Sequence, residues 1–176
     1  MSRQLPSNVE AEQALLGAIF INNEAWHRVS PFLESKHFHE PIHGRIYQLC
    51  SDFISIKKVA NPVTLKNFLP SEDKIGDMTL FQYLARLTSE AVTVLNAYDY
   101  GLAIVNLWQR RRIITIGEDM VNKAWDAPID VEATEIAAQM SEEVSVLISE
   151  TQTVDDDNSA AAVADGLLSE TPNLGR

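Results

Sequence analysis

The sequence predicts an all-α fold: a small helical globule, then a long helical hairpin, then a C-terminal linker helix. Three observations carry this. No long run alternates apolar and polar residues as a half-buried strand would. Apolar residues recur at helical spacing through most of the 176 residues. Residues 96–125 run without a proline, which as a helix makes a rod of roughly 45 Å, too long to pack wholly on a small globule.

The elements follow in order. Ser7-Asn8-Val9-Glu10 reads as a capping box that opens a helix with Leu15, Leu16, Ile19 and Phe20 on one face. A short helix spans about Asn23 to Val29 and presents Trp26 and Val29. Pro41 suits the first turn of a third helix, where a missing N–H costs nothing. That helix runs to about Lys57 with Ile42, Ile46, Leu49, Cys50, Phe53 and Ile54 turned inward. Asn61-Pro62 opens a short helix that Pro70 stops. Asp77 is placed to cap a helix holding Leu80, Tyr83, Leu84 and Leu87. The globule therefore takes residues 1–95.

The hairpin takes residues 96–151. Ala127-Pro128-Ile129-Asp130 breaks the first rod, with Asp130 positioned to cap the second. The second rod carries Ala133, Ala137, Met140, Val144, Leu147 and Thr151 at spacings that alternate four and three, a short a/d seam. Either this seam zips the two rods of one chain together, or it pairs two hairpins as a dimer. The candidate dimer contacts are Trp108, Ile113, Ile116, Met120, Met140, Val144 and Leu147. Residues 152–158 read as a charged break, 159–168 as one more helix, and Thr171 to Gly175 as a terminal stop, so 152–176 is the linker portion.

Charge divides the chain sharply. The net charge is −11, yet residues 1–125 balance 13 acidic against 13 basic side chains, and residues 126–176 carry 12 acidic side chains and one arginine. The acidic half repels phosphate backbones; it either attracts a basic partner or is simply well solvated. With 45% hydrophobic and 22% charged residues, the chain has the balance of a globular protein. No stretch approaches the roughly 18 apolar residues of a membrane span, and no apolar leader opens the chain. A single cysteine excludes an internal disulfide and suits a cytoplasmic setting.

Chemistry-bearing patterns are few. The glycines are isolated and no Gly-x-x-x-x-Gly-Lys run exists, so no phosphate cradle of that kind is expected. His37, His39 and His43 form a loose cluster with Glu40. His37 and His39 flank Phe38 and are expected to point apart, with His43 on the helix surface or capping a neighbour. Asp155-Asp156-Asp157 lacks the glycine and glutamate of a calcium loop. Cys50 is expected to be a buried, inert thiol. Arg110, Arg111 and Arg112 beside Trp108 could grip single-stranded nucleic acid or a partner, but adjacent helix positions spread in three directions. No catalytic, cofactor or metal residue is assigned.

The opening LPSNVEAEQALLGAIFINNEAW resembles the start of the DnaB-type replicative DNA helicases, on Pro6, Glu10-Ala11-Glu12-Gln13, Leu15-Leu16-Gly17 and Asn23-Glu24. Agreement continues at Phe38, His43, Ile46, Tyr47, Pro62, Thr64, Leu65, Tyr83-Leu84, Leu87, Asn96, Tyr100, Ile104-Val105 and Arg112-Ile113-Ile114, over about residues 5–150. The resemblance implies an N-terminal globule and hairpin followed by a linker helix and a RecA-like ATPase motor. It implies that hairpins pair, that three dimers form a ring collar, and that the collar docks the C-terminal domain of primase. A helicase loader is a further implied partner, and DNA would be reached only through the motor. The Walker A lysine is absent here, so this chain is expected to be non-catalytic while its longer parent is an ATP-dependent helicase. Two alternatives stand beside this: a standalone helicase regulator or adaptor, and an all-α nucleic-acid-binding module using Arg110 to Arg112.

Overall fold

The computed structural model describes residues 3–69, 74–91 and 96–167. Seven α-helices and one two-stranded ribbon make up the regular structure among them. They are α1 (Val9–Ile21), α2 (Glu24–Val29), α3 (Pro41–Ser55), α4 (Pro62–Leu65), β1 (Lys74–Ile75), β2 (Met78–Thr79), α5 (Leu80–Glu90), α6 (Ala97–Asp126) and α7 (Ala133–Leu167). Short 3-10 turns at Ser35–His37 and Lys66–Phe68 complete the order.

The chain divides into two compact units within α6, after Arg111. In the first, α1 is the central helix. Leu15, Leu16, Ala18 and Ile19 are inaccessible and Phe20 is buried, which is how a helix apolar on nearly every side must sit. Against it pack α5, with Leu84 and Leu87, and α3, with Ile46 and Cys50, and Leu65 of α4 and Ile104 and Val105 of α6 are buried as well. Gly17 lets α1 approach α5 closely: a Cβ there would meet the Leu87 carbonyl oxygen and lie 2.8 Å from Ala91 Cβ.

Several start signals differ from the sequence expectation. Asn8, not Ser7, caps α1, its Oδ1 accepting from Ala11 N at 2.9 Å. Thr79, not Asp77, caps α5: Thr79 Oγ1 accepts from Gln82 N, and Gln82 Oε1 accepts from Thr79 N at 2.9 Å. This is the reciprocal Thr-x-x-Gln box, which satisfies two orphan donors where an aspartate alone satisfies one. Asp77 instead follows Gly76, whose φ of +60° turns the β1–β2 ribbon. Along α3, Ile46, Cys50 and Ile54 are buried as expected, while Ile42, Leu49 and Phe53 are half-buried and His43 and Tyr47 take the innermost places.

The hairpin also begins and ends differently. The first half of α6 packs into the globule: Ala97 is inaccessible, Tyr98 stands edge-on to Phe32 at 5.3 Å, and Gly101 sits against Val29 and Phe32. The contacts divide the chain after Arg111, inside α6. Asp130 lies in the turn, and α7 starts at Ala133, where the Glu132 carbonyl accepts from Glu135 N at 3.0 Å. The helix then continues through Leu167 with no break at 152–158. Acidic residues disfavour a helix only mildly, and neither proline nor glycine interrupts 151–165. The expected stop at Pro70, the hairpin approach at 92–95 and the segment from Leu168 onward lie outside the described residues.

Candidate functional site

In the globule, the chemistry gathers at a place the sequence did not reveal. Glu12 and His43 are 2% and 1% exposed. Glu12 Oε1 accepts from His39 N at 2.6 Å, and Oε2 accepts from Glu40 N at 3.3 Å. His43 Nδ1 lies 2.7 Å from Glu12 Oε2, and its Nε2 lies 2.6 Å from the Tyr83 hydroxyl. Gln13 Nε2 donates to that hydroxyl at 3.0 Å. Burial raises the Tyr83 phenol above its ordinary range and keeps its proton on. Gln13 donates to Tyr83, and the His43 ring bridges the Tyr83 hydroxyl and the Glu12 carboxylate.

This network ties α1, α3, α5 and the loop before α3 into one body. Each buried polar group has a partner, as a low-dielectric interior demands. Four residues scattered along the sequence resemblance thus meet in space. The signal that could have found them is Glu12 itself, a carboxylate amid an otherwise buried helix, which requires a buried donor. The sequence places His43 on the helix surface or capping a neighbour; it is instead fully buried, with Nδ1 2.7 Å from Glu12 Oε2. The arrangement holds shape, since Glu12, His43 and Tyr83 are all enclosed and hydrogen-bonded.

His37 faces elsewhere. Its Nδ1 accepts from Glu34 N at 3.0 Å, and its ring lies 4.6 Å from that of Trp108. Burial lowers its pKa to about 4; Glu34 opposes this, and Lys36 and Arg111 add to it. Among the described residues no three His, Cys, Asp or Glu are grouped to hold a metal ion. Cys50 is buried, and burial pushes its thiol up to about 12. Also among the described residues, no helix is long and apolar enough to cross a membrane.

The arginine run is split by the helix. Arg111 donates to the Pro6 and His37 carbonyls, both at 2.8 Å, so it binds the N-terminal segment to α6. Arg110 and Arg112 are exposed. Arg112 borders a shallow cleft of about 400 Å³ with Gln139, Glu142, Glu143 and Val146. Trp108 is half-buried against His37, with Lys36 Nζ 5.4 Å from its ring centre.

In the second unit the expected contact residues separate into two sets. Ile116, Met140 and Leu147 are buried by the chain itself, and Lys123 Nζ meets Glu143 Oε1 at 3.4 Å. Ile113, Met120 and Val144 are exposed, together with Ile148 and Trp125. At about 100° per residue, Ile113 and Met120 lie roughly 40–60° round from Ile116, and Val144 and Ile148 roughly 40–80° round from Met140, in the same sense. In an antiparallel pair, equal rotation in one sense brings both sets to one flank. That flank is an apolar strip with no cover from the described residues of its own unit. Near the turn, a cleft of about 280 Å³ is lined by Pro128, Val131 and Ile136, among others.

A polar-locked helical globule joined to a hairpin with one bare apolar flank defines an all-α module. Residues 4–106 match the family described as the DnaB-like helicase N terminal domain, and the chain belongs to that family. It is 43% identical over 133 residues to the replicative DNA helicase DnaB of Rickettsia felis, covering 76% of this chain and 27% of that protein. To the DnaB of Pasteurella multocida it is 27% identical over 120 residues, 68% of this chain and 26% of the other. The chain thus spans about a quarter of the length of these relatives.

Solved structures agree on the fold. The N-terminal domain of the Mycobacterium tuberculosis DnaB helicase superposes with a TM-score of 0.69 at 23% identity, covering 80% of this chain and 98% of that one. A DnaB-like replicative helicase, solved in a study of its interactions with primase, gives 0.55 at 19% identity over 96% of this chain and 36% of that one.

Proposed function

We propose that this chain is the assembly and docking domain of a replicative helicase, and that the hairpin's bare apolar flank is where two copies meet. The observation that carries the reading is the strip of Ile113, Met120, Val144 and Ile148, exposed on one side of a hairpin whose inner seam is already closed by Ile116, Met140 and Leu147. A flank shared by two antiparallel helices is self-complementary under a two-fold axis, the commonest oligomer symmetry. Pairs of such domains, repeated, make the ring collar that the resemblance implies. The collar presents the globules to primase, while ATP hydrolysis and DNA contact belong to a motor in the full-length protein, which works in the cytoplasm. A helicase loader is a further partner on the same reading.

The role of this domain is geometric rather than catalytic. The Glu12–His43–Tyr83 lock makes each globule rigid, and the hairpin sets the angle between copies. The test is sedimentation equilibrium of Met120→Asp with Val144→Asp. Both side chains are exposed in the single chain, so the variant should keep its helicity and sediment as a monomer where the parent is a dimer. A dimer that survives the change moves the interface off this flank. Met140→Asp or Leu147→Asp would not serve, because burying a carboxylate in the inner seam unravels the hairpin itself. Docking is read separately, by calorimetric titration with the C-terminal domain of the cognate primase.

A further inference from the structure

A second surface lies on the globule, on the residues that link α3, α4 and α5. Ile56, Val59, Val63, Phe68 and Phe81 are between 44% and 66% exposed. Three contacts tie the segments that carry them. Phe68 stands edge-on to Phe53 of α3 at 5.1 Å, Lys66 Nζ lies 5.9 Å from the Phe81 ring centre, and Thr64 Oγ1 donates to the Val59 carbonyl at 2.9 Å. Five large apolar side chains this open, on segments tied together in this way, are more than scattered surface hydrophobics.

The patch is edged by cations. Lys57, Lys58 and Lys66 are all exposed, in a chain whose net charge is −11. The carboxylate nearest to them on α3, Asp52, is engaged by Gln48 Nε2 at 2.9 Å. Lys57 holds a further oddity. Helix α3 ends in a Schellman turn, with Lys58 N donating to the Phe53 carbonyl and Lys57 N to the Ile54 carbonyl, both at 2.9 Å. The left-handed position of that turn, with φ of +61°, is Lys57. Glycine is the ordinary residue there, and a lysine tolerates it only at a conformational cost. Local strain at an exposed cation beside an apolar patch points to use rather than to folding.

We propose that this patch docks a partner protein through an acidic amphipathic helix, whose apolar face covers Val59, Val63 and Phe68 and whose carboxylates meet Lys57, Lys58 and Lys66. Charge complementarity selects an acidic occupant. The apolar residues select a protein over a nucleic acid. Ile56, Val59 and Val63 offer no ring for a base to stack on, Phe53 and Phe68 stand at 82° to one another rather than as a platform, and Lys66 occupies the face of Phe81. The surface belongs to the first unit and the hairpin flank to the second.

The experiment uses the whole chain and three probes: a 16-residue helix with leucines at i, i+3, i+4 and i+7 and glutamates elsewhere, the same peptide with lysines for glutamates, and a 15-mer of deoxythymidine. Methyl and aromatic NMR shifts report the site. The acidic peptide should shift Ile56, Val59, Val63, Phe68 and Phe81. Its Kd should rise roughly three- to tenfold on Lys57→Gly with Lys66→Glu, and it should weaken with salt. Lys57→Gly relieves strain and should melt no lower than its parent, and a thermal melt of the double variant beside its Kd tells lost binding from lost folding. Shifts at other residues, equal binding of the basic peptide, preference for the oligonucleotide, or closure of the patch by a second copy at the NMR concentration would each overturn the proposal. The hairpin variant Met120→Asp with Val144→Asp should bind the acidic peptide unchanged, which separates this surface from the assembly flank.

Discussion

Replacing Glu12 by alanine should be among the most damaging single changes in the globule. The carboxylate accepts three hydrogen bonds in a site that is 2% exposed: from His39 N, Glu40 N and His43 Nδ1. Truncation leaves those donors buried without an acceptor. Each such donor costs about 1–3 kcal/mol, and water entering the vacated space recovers part of it. Three such losses, less what water recovers, come to about 3–5 kcal/mol. That is a large share of a total stability of roughly 5–15 kcal/mol.

For a chain of this size, a loss of that order lowers Tm by about 10–15 °C. The assay is urea unfolding followed by circular dichroism, with hydrogen exchange of the α1 amides reporting the globule by itself. Tyr83→Phe is the graded comparison, since it removes one donor to His43 and one acceptor from Gln13 and should cost about 1–2 kcal/mol. In a double-mutant cycle with His43→Ala, the pair should fall short of additivity by at least about 1 kcal/mol, because the two side chains touch. A loss below about 1 kcal/mol for Glu12→Ala would refute the reasoning, for it would mean the three donors do not depend on this acceptor in solution.

Three other changes probe other parts of the molecule. His37 has a folded pKa of about 4 against an ordinary 6.5, so below pH 6.5 the unfolded chain takes up a proton that the folded one refuses. Its contribution is intact above pH 6.5 and is lost as pH falls toward 4, at up to about 1.4 kcal/mol per pH unit; His37→Phe should remove that share of the slope in urea titrations at pH 7, 5.5 and 4.5, whereas parallel curves would show that His37 does not titrate differently on folding. Gly17→Ala forces a methyl onto the Leu87 carbonyl and should cost about 1–3 kcal/mol in a thermal melt; an unchanged Tm would mean α1 and α5 can part without cost. Lys57→Gly should stabilise the globule by about 0.5–1 kcal/mol by removing a left-handed lysine, and a lower Tm would contradict the strain assigned to that turn.

Much of this protein was readable in one dimension because helices declare themselves locally. Spacing identified α1, α3, α5 and both rods. Pro41 and Pro62 marked two helix starts, and Ala127-Pro128 marked the hairpin turn. The failures were at ends. Asn8 displaced Ser7, and Thr79 displaced Asp77, because several capping side chains stand near each start and only the final geometry chooses among them. The break expected at 152–158 did not form because composition alone does not stop a helix that lacks glycine and proline.

What the sequence determined by itself was the kind of architecture: an all-α chain, neutral for 125 residues and then acidic, with two long helices joined by a turn. Periodicity and charge are properties of the chain, and they survive any arrangement of the helices. What only the tertiary structure decided was the meaning of individual side chains. Met140 and Val144 share one heptad seam, yet one is buried and the other bare, because a hairpin covers only the narrow line where its rods touch. Arg111 became a tie to two backbone carbonyls, although its neighbours in sequence face solvent. Glu12, Gln13, His43 and Tyr83 lie on three helices up to 71 positions apart, and no local pattern relates them. A buried carboxylate is stable only if the fold brings it donors, and that meeting belongs to the fold.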